Sequence, residues 1–216
     1  MNKAITYQKT EGIGYLQLSA PPKNEMSISF FRDFDRLMEQ IARDRDLRGL
    51  ILHSEGRHFS SGADTEELLK LFTKNKETLP GQIAENSKAF QRMHQLAVPV
   101  VACLKGICYG AGLELALSAH FRIAAPNTRM SFPEAAFGIM PGLGGLGLLS
   151  RIVGEAKAME LALSTDSLDA EEAKALGLID IFATRDELIN QAEALINSLP
   201  EKYHPELKKN YLRKWS

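Results

Sequence analysis

Apolar and polar positions alternate or recur with two different periods along this chain, and the switches between them mark its elements. Residues 6–8 and 13–18 have the short alternating pattern of two strands, turned at Glu11-Gly12. After a Pro21-Pro22-Lys23-Asn24 loop, Phe30, Phe34, Leu37, Met38 and Ile41 fall on one face of a helix that Ser27 or Ser29 can cap. Residues 49–52 read as a short buried strand, 65–72 as a helix and 83–96 as a second helix with Ile83, Phe90, Met93 and Leu96 turned inward. Between those helices the polar segment 75–81, with Pro80, is expected to be mobile. A continuous apolar run, 98–104, predicts a strand buried on both faces.

The pattern continues with a helix at 113–118, a strand at 121–124, a turn at Pro126-Asn127 and a short strand at 130–132. Residues 138–147 are rich in glycine, and a helix spans 155–164. Asp169 followed by Glu172 is a capping-box spacing for a helix to 176. A strand is expected at 178–182, a helix capped by Thr184 and Glu187 to about 199, and a basic helical tail over 205–215. Strands alternating with helices, with small-residue loops at several strand exits, predict an α/β chain with mostly parallel pairing. We expect one core domain over 1–199 and a short basic helical tail over 200–216.

Two of those loops share a design. Ser61-Gly62-Ala63-Asp64 and Gly110-Ala111-Gly112 each follow a buried strand and lead into a helix. Small residues let a ligand approach the backbone, and helix starts leave N–H groups unpaired. If the loops face one another, two N–H groups converge on one oxygen and stabilise charge that develops there. Glu114 stands among Leu113, Leu115, Ala116 and Leu117, where a carboxylate is costly unless paired, protonated or used. Glu134 follows Pro133, which on its own fits an acidic residue in a first helical turn.

Composition narrows the function classes. The 216 residues are 44% hydrophobic and 25% charged, with 26 basic and 27 acidic residues and a net charge of −1. This balance gives no support to nucleic-acid or membrane-surface binding. No apolar stretch reaches spanning length and the first residues lack a signal-peptide core, so a cytoplasmic setting is the expectation. Cys103 and Cys108 suit apolar packing, and no His or Cys set has metal spacing. Ser60 and Ser61 lack a G-x-S-x-G elbow, and His58, His94 and His120 read as structural. Gly142 to Gly147 matches G-x-G-x-x-G, yet Pro141 precedes it and helix follows it, so a nicotinamide cofactor is not expected.

Three motifs in register, residues 58–64, Pro99-Val100-Val101-Ala102 with 106–114, and Phe132-Pro133-Glu134 with 138–145, resemble the enoyl-CoA hydratase/isomerase (crotonase) family over about 13–182. The resemblance implies a crotonase-like spiral of ββα units with a short C-terminal helical tail, assembled as a homotrimer or hexamer. It implies an acyl-CoA or acyl-carrier-protein thioester substrate, with coenzyme A present as part of that substrate and no other cofactor. Ala63 and Ala111 would supply the oxyanion N–H groups, Ala111 standing where many members have Gly. Glu114 and Glu134 would be the acid/base pair. Arg57, Phe59, Ser61, Gly62, Asp64, Tyr109, Gly110, Pro141 and Gly142 would contact the substrate; for Asp64 helix capping is the better reading, and Arg57 on its own reads as ordinary surface. Retaining both glutamates favours an enoyl hydratase. A double-bond isomerase or decarboxylase is the alternative, and a non-catalytic acyl-CoA-binding or scaffold subunit is a third. Relative to the family pattern the chain is short, and the helical region that usually follows the last matched strand is not expected.

Overall fold

The computed structural model describes residues 3–74 and 77–213. Its strands are β1 (Ile5–Thr10), β2 (Ile13–Leu18), β3 (Gly49–Ser54), β4 (Val100–Leu104), β5 (Ile107–Tyr109), β6 (Phe121–Ala124), β7 (Arg129–Ser131) and β8 (Ile181–Phe182). Six of them form one sheet in the order β1-β2-β3-β4-β6-β8. Only β1 and β2 pair antiparallel, across the predicted Glu11-Gly12 turn; the rest are parallel. The remaining two strands, β5 and β7, form a separate parallel ladder with Cys108 opposite Met130.

The helices are α1 (Ile28–Ala42), α2 (Thr65–Lys74), α3 (Leu79–His94), α4 (Ala111–Ser118), α5 (Gly145–Val153), α6 (Glu155–Ser164), α7 (Ala170–Ala175), α8 (Leu188–Ser198) and α9 (Lys208–Leu212). Ser27 caps α1 by accepting from the Phe30 N–H, and the capping box of Asp169 and Glu172 forms as its spacing predicts. Pro80 begins α3, where a missing N–H is harmless, and does not break it. Of the segment expected to be mobile, residues 75 and 76 lie outside the described residues, as do 214–216 of the tail. The last strand is shorter than expected. Leu178 turns away from the sheet, and its carbonyl accepts from Arg122 Nε at 2.6 Å.

Parallel strands are wrapped on both faces, and the apolar residues sort accordingly. One face packs Leu50, Leu52, Val100, Ala102 and Leu104 against α1, α3 and α4, with Phe30, Phe34 and Phe90 in edge and stacked contact. The other packs Ile51, Val101, Cys103, Phe121 and Ile123 against α8 and Tyr203. Each buried Val, Leu, Ile or Phe among them contributes roughly 1.5–3 kcal/mol. Residues 200–213 fold against this second face: Tyr203 packs on Phe121 and His120, and Lys208 reaches Asp180.

Candidate active site

The two small-residue loops meet. Ser60 is fully buried and holds them together: its N–H donates to Ile107 O, its carbonyl accepts from Tyr109 N, and its hydroxyl donates to Asn24 O at 2.7 Å while accepting from Gly62 N. Ser60 is therefore a strut and not a nucleophile. A methyl group on Gly62 would lie 2.9 Å from Tyr109 O and 3.4 Å from Ala111 N, so only glycine allows this approach. Among the described residues, neither the Ala63 N–H nor the Ala111 N–H donates to another protein group. Ala63 itself is bridged to Met26, whose carbonyl accepts from Asp64 N.

Glu114 lies in α4 and is 2% exposed. Its Oε1 accepts from Leu143 N at 2.8 Å and Gly145 N at 2.9 Å, the N–H groups that open α5. The helix dipole and these bonds favour its charged form. Burial outweighs them and, with the Glu134 charge beside it, raises its pKa to about 7. Gly145 makes this packing possible, since a methyl there would sit 2.8 Å from Glu114 Cβ. The glycine-rich 142–147 segment thus cradles a carboxylate of its own chain.

Glu134 reaches the same place from a different element. The β5–β7 ladder and the Gly110 N–H to Ser131 O bond bring the short 3₁₀ turn Pro133–Phe137 beside Gly110. Gly110 has φ 53° and leaves the space Glu134 fills; a methyl there would be 2.8 Å from Glu134 Oε1. Glu134 Oε2 is buried with no hydrogen-bond partner among the described residues. Burial raises the Glu134 pKa as well. A buried carboxylate oxygen without a partner is costly in a structural role.

The structure brings Ala63, Ala111, Glu114, Glu134, Gly62 and Gly110 together. It separates others. Phe59 is a correction to its expected contact with substrate: its side chain is 0% exposed in the α1–α3 core, anchored because its N–H bonds Lys105 O and Ile107 O. Asp64 caps α2, with Oδ1 accepting from Glu66 N and Glu67 N at 3.0 Å each. Arg57 is exposed, Ser61 half-buried, and the Tyr109 hydroxyl is 3.0 Å from Ser167 Oγ. Pro141 is buried and Gly142 exposed beside Ile83 at the start of the Glu114 cradle. His58, His94 and His120 all hydrogen-bond to the backbone. Both cysteines are buried.

Sequence reasoning missed three parts. The G-x-G-x-x-G match at 142–147 was set aside as a nucleotide loop, but the Leu143 and Gly145 N–H groups were not recognised as donors to Glu114. A buried Glu needing donors, followed by a glycine-led apolar helix, was the available signal. Asn24 looked like plain loop, yet it is 2% exposed and its Nδ2 ties Glu55 O to His58 O. Ser60 carried no signal that separated it from Ser61.

Residues 8–214 match the sequence profile of the enoyl-CoA hydratase/isomerase family. The chain belongs to the enoyl-CoA hydratase/isomerase family. It is 34% identical over 200 residues to a probable enoyl-CoA hydratase of Bacillus subtilis, covering 92% of this chain and 77% of that protein. An enoyl-CoA hydratase structure from Bacillus anthracis superposes with a TM-score of 0.85 at 27% identity, over 95% of this chain and 81% of that one. A Thermobifida fusca structure in complex with acetoacetyl-CoA gives 0.87 at 26% identity, over 98% and 87%. The α/β fold is thus that of the family. No helix among the described residues is long and apolar enough to cross a membrane.

Proposed function

We propose that this protein is an enoyl-thioester hydratase, with coenzyme A or a carrier protein as the thiol. One observation supports this above the rest: a buried carboxylate, Glu114, and a half-buried one, Glu134, both with raised pKa values and neither ion-paired to a cation among the described residues, lie beside two unpaired backbone N–H groups. The thioester carbonyl accepts from the Ala63 and Ala111 N–H groups. Charge that develops on that oxygen as the enolate forms is stabilised by donors already in place. Glu114, whose charged form is held by Leu143 N and Gly145 N, takes a proton from water as its oxygen bonds to the β-carbon. Glu134, with no donor on Oε2, holds the proton that passes to the α-carbon. Dehydration runs the same steps backwards. Gly62 and Gly110, which let the two loops and Glu134 approach one another, lie beside this centre.

The test is loss of conjugated-thioester absorbance from crotonyl-CoA and longer enoyl thioesters, on coenzyme A and on carrier protein. Turnover is expected on at least one, falling about 10²–10⁴-fold in Glu114→Gln and in Glu134→Gln separately. Hydration of none of them would overturn the reading. Loss in only one variant, with a shifted double bond as product, would make the protein an isomerase.

A further inference from the structure

A second hollow lies on the far side of the Glu114 cradle. A cavity of about 160 Å³ is lined by His94, His120, Arg122, Arg151 and Lys208, with apolar walls from Leu117, Leu148 and Ile152. It shares His94, Leu148 and Arg151 with an adjoining hollow of about 380 Å³, whose other walls include Gln91, Gln95 and the Leu143-Gly144 backbone. Helix α3 runs from the catalytic loops to this place: Ile83 touches Gly142, Ser87 faces Gly144, and Gln91 and His94 reach the hollow.

Its charge is one-sided. No acidic side chain lines either hollow among the described residues. Asp180, behind the wall, is 2.7 Å from Lys208 Nζ and 3.6 Å from an Arg122 terminal nitrogen, and one carboxylate serves both. Arg122 is fixed by Leu178 O and Ala119 O and does not swing away. Arg151 has neither ion pair nor hydrogen bond among the described residues. Three side chains register the resulting field. Burial and the cations Arg151 and Arg122 hold His94 below its ordinary value; burial, His94, Lys208 and Arg122 hold His120 at about 4; burial and Arg122 bring Lys208 down to about 8 despite Asp180. A like-charged cluster beside apolar walls is stabilised by a ligand that brings an anion and an apolar body together.

We infer that this hollow is a binding site for a small organic carboxylate with a short aliphatic chain, its head on Arg151 and its chain against Leu117, Leu148 and Ile152. The site is separate from the proposed hydration centre and does not depend on that reading. Binding leaves no acid in an apolar wall, and the Arg151 guanidinium offers a planar two-donor fork to the head.

Hexanoate, hexanol and inorganic phosphate are titrated into the full chain while the His94 imidazole resonance is followed by NMR, that resonance being identified by its loss in His94→Gln. Reading His94 and not turnover keeps occupancy of the catalytic loops out of the result. Hexanoate is expected to shift the resonance saturably and to raise the His94 pKa. Arg151→Gln should weaken this at least about tenfold, and Arg151→Lys, which keeps the charge and loses the fork, should fall between Arg151→Gln and wild type. Arg151 is exposed, so both variants are expected to fold. The assignment is overturned if hexanoate gives no saturable shift, if hexanol or phosphate binds as well, if Arg151→Gln binds unchanged, or if Arg151→Lys binds as weakly as Arg151→Gln.

Discussion

Two carboxylates are withdrawn from solvent in this fold, and they are treated differently. Asp180 receives two cations, Arg122 and Lys208, and a third donor from the Arg122 N–H at 2.8 Å. Glu114 receives only backbone N–H groups, and its charged neighbour is another carboxylate. A group given full counter-charges joins segments of chain. A group given dipoles and a like charge changes its proton easily near neutrality. The first arrangement anchors the tail that carries Lys208; the second is suited to moving protons.

That contrast can be broken first at Asp180. Asp180→Ala leaves Arg122 and Lys208 buried without a counter-charge and is expected to lower stability by about 3–5 kcal/mol in urea unfolding. Glu114→Gln is expected to do the reverse. The folded chain holds the Glu114 proton more tightly than the unfolded chain, so wild-type stability falls as pH rises from 4.5 to about 7 and stays low above that. Gln escapes this loss, so the variant should gain about 3 kcal/mol at pH 8 and nothing below pH 4.5, read as melting temperature at the two pH values. An equal gain at both would show that the charge is not the cause. Gly145→Ala pushes a methyl onto Glu114 and is expected to cost about 1–3 kcal/mol while lowering thioester turnover. The smallest effect belongs to a third carboxylate, one also held by backbone N–H groups but near the surface. Asp64→Ala removes the α2 cap and should cost about 1 kcal/mol with turnover intact.

Much of this arrangement was readable from residue order. The period switches located the helices, and the two small-residue loops with Glu114 pointed to the candidate site before any geometry was known. What was not readable depended on pairing between distant segments. Three-residue strands such as β5 and β7 have too few positions to show a period, yet their ladder delivers Glu134. The G-x-G-x-x-G match has the composition of a phosphate loop; only the fold shows that an internal carboxylate occupies those N–H groups. Phe59 sits in a loop motif between polar neighbours, and sequence spacing could not tell that its ring turns into the core.

The β5–β7 ladder has a mechanical meaning as well. Ala111 begins where β5 ends, and Glu134 begins just past β7, so the donor and the carboxylate hang from two rungs of one short ladder. When the surrounding loops breathe, these groups are displaced together, and their separation is preserved as their absolute position wanders. Alignment between the proposed oxyanion donor and the proposed proton carrier is then a property of three residue pairs, insulated from the chain that joins them.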